Sequence, residues 1–166
     1  MSLVSLIGNS QKGYEQLNLI YQMLRKDYKT AVVDPSEKDD LGTDNIYTPY
    51  GFINRIQRKD HIDAIMKSNM VIILGENGGR KLDVSIIRNI LFNVMQIKKN
   101  CVIINPPGKI QDYPITYINI DRLSEMGGYL IPVNSFYTEI VMKFLGGNNE
   151  VQGYNKYDGV CHIVCN

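Results

Sequence analysis

Short apolar runs alternate with amphipathic stretches along the first 120 residues, and this alternation predicts strands and helices in turn. Leu3 to Ile7 is an apolar run that ends in a tight turn at Gly8. Apolar residues then recur at helical spacing up to about Asp27, and Thr30 to Val33 is a second apolar run. The order of strand, helix and strand predicts a first βαβ unit.

The rest of the chain repeats this alternation. The predicted elements are a helix over 58–68, a strand over 70–74, a helix over 81–98, strands over 102–104 and 116–120, and a helix over 135–145. Strands without polar alternation are typical of parallel sheets that are buried on both faces. The pattern predicts an α/β fold: a flavodoxin/Rossmann-like, doubly wound parallel sheet of about five strands with helices on both faces.

Two segments depart from this pattern. Residues 36–57 show no sustained period, and an irregular segment of this length predicts a binding loop or a lid. The helix over 81–98 is apolar over more than one face, so either the domain covers it alone or a second subunit does. We expect a homo-oligomer that associates through this helix.

Length and composition favour one domain over residues 1–146, followed by a polar, glycine-rich tail over 147–166 that we expect to dock on a neighbouring subunit. Lys plus Arg number 18 and Asp plus Glu 17, which gives no global field for nucleic acid or a membrane surface. The expected partner is therefore a small molecule. The first residues lack the pattern of a signal peptide, and the three cysteines are an odd number, so we expect a cytoplasmic protein without a disulfide framework.

Polar residues follow the predicted strands, where ligands of parallel sheets bind. Gly8, Asn9 and Ser10 lie between the first strand and helix, and their N–H groups are placed to contact a sugar or phosphate. This turn lacks the Lys–Ser/Thr ending of a phosphate loop, and its alternative role is a tight turn that caps the helix. Asp34 ends the second strand as a candidate acceptor for ribose hydroxyls or as a simple turn former.

Further candidates surround the third predicted strand. Gly75, Glu76 and Asn77 form a polar loop after it, and Asp83 lies near the start of the next helix. A carboxylate in a partly desolvated cleft acts as an acid or a nucleophile, whereas Asp83 has the alternative of complementing the helix dipole. His61 is a candidate proton shuttle before the strand, with a surface position as its alternative. Cys161, His162 and Cys165 alternate across a strand, so no metal site is expected.

The segments DHIDAIMKSNMVIIL and NSFYTEIVMKFL, together with the turn at Gly8 and Asn9, resemble the nucleoside 2-deoxyribosyltransferase family, which includes nucleotide N-glycosidase relatives. The likeness spans roughly residues 3–145. It implies a flavodoxin-like fold and cleavage or transfer of the N-glycosidic bond of a deoxynucleoside or its monophosphate. A glutamate would attack C1′ of the sugar, as in retaining glycosidases, without a metal or an organic cofactor.

In LDVSIIRNILF, Asp83 matches the leading aspartate of the family phrase, while Arg88 and Asn89 stand near the position of its glutamate. Two hypotheses follow. In the first, Glu76 supplies the carboxylate of a divergent transferase or hydrolase, with Asp83 as its catalytic partner. In the second, the chain is a catalytically inactive nucleotide-binding or assembly module on the same fold.

Overall fold

The computed structural model describes residues 2–121, 154–157 and 160–163. Its strands are β1 (Leu3–Ile7), β2 (Thr30–Val33), β3 (Ile46–Tyr47), β4 (Met70–Leu74), β5 (Glu76–Asn77), β6 (Arg80–Lys81), β7 (Asn100–Ile104), β8 (Ile115–Asn119), β9 (Tyr154–Tyr157) and β10 (Val160–Ile163). Its helices are α1 (Gln11–Asp27), α2 (Pro49–Arg58), α3 (Asp63–Lys67) and α4 (Val84–Gln96). A 3-10 turn covers Thr43–Asn45.

The main sheet has the order β3-β2-β4-β7-β1-β8-β10-β9, and every neighbouring pair is parallel except β10 and β9. The predicted parallel α/β sheet is confirmed. It has more strands than the five predicted, because β3 adds a sixth within residues 2–121 and the tail adds β9 and β10. The five long strands up to β8, counted along the chain, lie in the order 2-3-4-1-5. This order differs from the Rossmann order, which begins 3-2-1-4-5, and from the flavodoxin order, which is 2-1-3-4-5.

Alternate residues of the strands face two separate apolar clusters, one on each side of the sheet. Val4 and Leu6 of β1 join Leu17, Ile20 and Leu24 of α1 on one face. On the other face, α2, α3 and α4 pack against the alternate residues of the strands, such as Val71 and Ile73 of β4. All five residues of β4 are buried, which explains its unbroken apolar sequence.

The predictions for residues 36–68 are wrong in two places. The segment expected to be an irregular loop contains β3 and the ten-residue helix α2, and the helix expected over 58–68 is reduced to the five residues of α3. Thr48 begins α2, because its hydroxyl accepts a hydrogen bond from the Gly51 N–H at 2.9 Å, and Pro49 follows at the first helical position. Lys59 ends α2 in a left-handed conformation at φ 53°.

The helix predicted over 81–98 is α4, which begins at Val84 because Arg80 and Lys81 belong to a hairpin. The sheet and α2 cover most of its apolar residues, and Ile87, Ile90 and Leu91 are fully buried. Phe92 is the large apolar residue of α4 that stays exposed, at 54%. The chain therefore covers by itself most of the surface that suggested a subunit interface, and association through α4 stays a prediction.

The tail extends the chain's own sheet, because Val160 of β10 pairs with Tyr117 of β8 and Cys161 pairs with Ile118. Docking of the tail on a neighbouring subunit stays a prediction. The predicted helix over 135–145 lies outside the described residues. Within the described part of the chain, no helix combines the length and apolar character that crossing a membrane requires.

Candidate functional site

A crevice opens at the carboxyl ends of β1 and β7, which are neighbours in the sheet. After β1 the chain passes to α1 on one face, and after β7 it passes to Ile110, which is buried on the opposite face. Such a reversal of direction is where ligands of open α/β sheets bind. Asn105, the first residue after β7, lies at this point in a left-handed conformation with φ 54°.

The crevice holds two cavities of about 230 and 210 Å³, which share Tyr14, Glu76 and Asn105 in their walls. The first cavity is also lined by Leu17, Asn18, Tyr21, Leu74, Asn77 and Ile104. The second is also lined by Asn9, Gly75, Lys81, Pro106 and Pro107. An apolar, aromatic wall with a few convergent polar groups is typical of a small-molecule site.

Glu76 is the carboxylate at the centre of this crevice. It lies in a two-strand hairpin of β5 and β6, whose Gly78–Gly79 turn has positive φ at both positions, as a type I′ hairpin turn requires. This turn pairs Glu76 with Lys81, so the carboxylate Oε2 lies 3.9 Å from the ammonium Nζ. Asn105 Nδ2 donates to Glu76 Oε1 at 3.2 Å, and 31% of the Glu76 side chain remains exposed.

Two tyrosines from α1 form the aromatic side of the first cavity. Tyr14 is 44% exposed, and Tyr21 is half-buried about two turns further along the same face of α1. Burial raises the pKa of Tyr21; Arg25 opposes this shift and the Asp34 carboxylate adds to it. Tyr21 is therefore a neutral phenol at physiological pH. The two rings give the first cavity an aromatic wall against which a planar group can stack.

Asp34 ends β2 near this cavity but already has partners. Its carboxylate accepts hydrogen bonds from the Ser36 N–H at 2.8 Å and from Asn77 Nδ2 at 3.1 and 3.2 Å. These bonds hold the β5–β6 hairpin against the end of β2. The structure thus shows the turn role of Asp34, and its contact with a ribose stays a prediction.

The turn at Gly8, Asn9 and Ser10 is filled by a carboxylate of the chain itself. Asp121 Oδ2 accepts from the Asn9 N–H at 2.6 Å, and Oδ1 accepts from the Ser10 N–H at 3.1 Å and from Ser10 Oγ at 2.5 Å. Ser10 also caps α1, since its hydroxyl accepts from the Gly13 N–H at 2.9 Å. The turn therefore caps α1, which is one of the two sequence alternatives, and its contact with a sugar or phosphate stays a prediction.

These hydrogen bonds change the acidity of Asp121. Partial burial acts to raise its pKa, but the bonds from Ser10 Oγ and from the Asn9 and Ser10 N–H groups outweigh burial and lower the pKa. A lowered pKa stabilises the fold above the ordinary aspartate value of about 3.9. That stabilisation is lost as the pH falls through the lowered value.

Two candidates from the sequence lie outside the crevice. His61 is exposed between α2 and α3, at φ 50°, with its Nε2 3.6 Å from Asp60 Oδ1. The adjacent α3 lies near the amino end of β2, because Asn45 Nδ2 donates to the carbonyls of both Ala64 and Thr30. Asp83 is exposed at the start of α4 and lines neither cavity. The structure therefore brings Glu76, Asn77, Gly75 and Asn9 together but leaves Asp83 and His61 apart.

The residues of the site that sequence reasoning missed include Tyr14, Asn18, Tyr21, Lys81, Asn105 and Asp121. A local signal existed for Asn105, a polar residue directly after the apolar strand, and for Lys81, which a Gly-Gly hairpin turn places opposite Glu76. Asp121 carried no such signal, because its partners are 111 and 112 residues away in sequence.

Comparisons of the chain with protein-family models, with curated proteins and with solved structures give no match, so its membership of the nucleoside 2-deoxyribosyltransferase family stays a prediction.

Proposed function

We propose that the crevice binds a deoxynucleoside or its monophosphate and that the chain is a divergent deoxyribosyltransferase or N-glycoside hydrolase. The observation that carries this proposal is the placement of Glu76, a partly buried carboxylate oriented by Asn105 and Lys81 between two cavities at the switch point of the sheet. The tyrosine side of the first cavity would receive the base, and the amides of Asn18, Asn77 and Asn105 would contact the sugar.

In the proposed reaction, a Glu76 oxygen attacks C1′ of the deoxyribose as the bond from C1′ to the base nitrogen breaks. The base leaves with the electron pair of that bond and takes up a proton. Water or a second base then attacks C1′ and releases Glu76, as in retaining glycosidases. Glu76 alone carries a carboxylate among the described residues that line the two cavities, so proton delivery to the base falls to a tyrosine or to water.

The test is release of free base from a panel of deoxynucleosides and their monophosphates, followed by chromatography. We expect the wild-type chain to release base and Glu76→Gln, which keeps the shape but cannot form the ester, to lose at least about 100-fold in rate. Glu15→Gln is the matched control, because Glu15 is an exposed carboxylate on α1 that lines neither cavity. Equal rates for wild type and Glu76→Gln would refute the catalytic proposal.

The position of Asp83 favours a second candidate, a nucleoside-binding module without turnover. The carboxylate expected to assist Glu76 lies outside the cavities, and Arg88, near the family's glutamate position, is committed to Asp112 at 2.7 Å. This candidate predicts a calorimetric binding signal for a nucleoside with no release of base. A panel that gives neither binding nor release would exclude both functions.

A further inference from the structure

The turn between β1 and α1 has part of the construction of a phosphate-binding loop. Gly8 and Gly13 keep the glycine spacing of the sequence GxxxxGK[ST], in which backbone N–H groups cradle phosphates. Tyr14 and Glu15 occupy the positions of the lysine and the hydroxyl residue. The lysine that would neutralise a phosphate is thus replaced by Tyr14, whose ring lines the first cavity.

The chain supplies its own anion to this turn. Asp121, two residues beyond β8, holds the N–H groups of Asn9 and Ser10 and the hydroxyl of Ser10. Because β8 is the neighbour of β1 in the sheet, the carboxyl ends of the two strands bring Asp121 to the start of α1. A carboxylate with three donors has the same partners that a phosphate oxygen would use.

The sequence also leaves room for this carboxylate. A Cβ on residue 13 would overlap Asp121 Oδ1 and would lie 3.2 Å from Ser10 Oγ. Glycine at position 13 therefore permits the close approach of Asp121 to the first turn of α1.

The filled turn adjoins the crevice, because Asn9 lines the second cavity together with Glu76 and Lys81. A phosphate in this cavity would lie against the Glu76 carboxylate and the Lys81 ammonium. At the Asn9 N–H it would meet the Asp121 carboxylate, which this N–H already contacts at 2.6 Å. Repulsion between a phosphate and these carboxylates opposes binding. The Lys81 side chain is 74% exposed, so water screens its charge and it offsets little of this repulsion.

We infer that Asp121 is a specificity-determining residue. Its carboxylate occupies the hydrogen-bond donors of the β1–α1 turn and excludes phosphate from them. The site therefore selects the uncharged nucleoside over the nucleoside monophosphate. The selection among nucleosides and nucleotides rests on the proposed function. The exclusion of phosphate from the turn does not, and inorganic phosphate tests it separately.

The first experiment follows the backbone amide resonances of Asn9 and Ser10 in the full chain during titration with inorganic phosphate. We expect no response in the wild type at neutral pH and a response in Asp121→Ala with at least about tenfold higher phosphate affinity. Asp121→Asn, which removes the charge and keeps one acceptor oxygen, is the second variant if alanine prevents folding. Asp27→Asn is the matched control, an equal charge change at the other end of α1.

A wild-type chain whose Asn9 and Ser10 amides respond to phosphate as strongly as those of the variants would overturn the inference. So would variants that fold and gain no phosphate affinity.

The second experiment compares a deoxynucleoside with its 5′-monophosphate by calorimetry. We expect the wild type to bind the nucleoside at least about tenfold more tightly and Asp121→Asn to lose this preference. Equal or tighter binding of the monophosphate by the wild type would contradict the selection. Absence of binding by both ligands would count against the proposed function, while the phosphate titration would still decide the role of Asp121.

Discussion

Asn105 connects the three strand ends that form the crevice. Its backbone N–H donates to the Leu6 carbonyl at 2.8 Å, its Oδ1 accepts from the Gly8 N–H at 3.3 Å, and its Nδ2 donates to Glu76 at 3.2 Å. Asparagine tolerates the left-handed backbone found there better than most residues do. One residue thus orients the turn after β1 and the carboxylate after β4.

Gly75 allows the hairpin that carries Glu76 to lie directly against Asn105. A Cβ at position 75 would overlap the Asn105 carbonyl oxygen and would lie 2.9 Å from the Ile104 carbonyl oxygen. Since backbone cannot yield as a flexible side chain does, we expect Gly75→Ala to lower the free energy of unfolding by about 1–3 kcal/mol in denaturant titration. Gly108→Ala is the matched control, because among the described residues its Cβ would meet Val84 Cγ2 alone, at an ordinary contact distance of 3.8 Å. Equal stability of the two variants would contradict the close packing at Gly75.

At the scale of elements, α2 is the largest error of the sequence predictions. Its apolar residues Phe52, Ile53 and Ile56 are spaced for a helix, and Thr48–Pro49 is a regular start signal, yet the glycine and proline content around them suggested a loop. Burial of these residues against α4 and the sheet outweighs that local composition. The strands that form the crevice, β1, β4 and β7, were predicted from the sequence, because each is a continuous apolar run.

The cap of α2 can be tested by substitution. We expect Thr48→Ala to lower the free energy of unfolding by about 0.5–2 kcal/mol, because the Gly51 N–H loses its acceptor and Asp40 loses a hydroxyl donor. Thr48→Ser keeps the hydroxyl and should retain most of the stability. Chemical denaturation that shows the same loss for both variants would mean that the methyl group, and not the cap, is responsible.

At the scale of the whole molecule, α4 buries most of its apolar residues wholly or partly in the core, whereas the ring of Phe92 is exposed. Ile87, Ile90 and Leu91 lie in the cluster shared with α2 and the sheet, and Phe92 points away from it. A surface interface through α4 therefore depends on Phe92 and the polar residues around it.

We expect the chain to associate through this face, and Phe92→Glu to reduce the mass in light scattering to that of one chain, because a charge at the centre of an interface is left unpaired. Leu41→Glu is the control: Leu41 is 76% exposed and lies outside α4. A wild-type mass of one chain at all concentrations would remove the oligomer prediction.

The sequence alone determined the α/β class, the long strands and the edge of the sheet at which Glu76, Asn77 and Asn9 lie, because continuous apolar runs and their polar ends are local patterns. Tertiary structure decided which strand ends meet. The order in the sheet places β7 and β8 on either side of β1, so Asn105 and Asp121 reach the turn at Gly8 from about a hundred residues away. It also left Asp83 and His61 outside the crevice. Contacts between distant segments depend on the order of the strands in the sheet, and that order cannot be read from residue spacing along the chain.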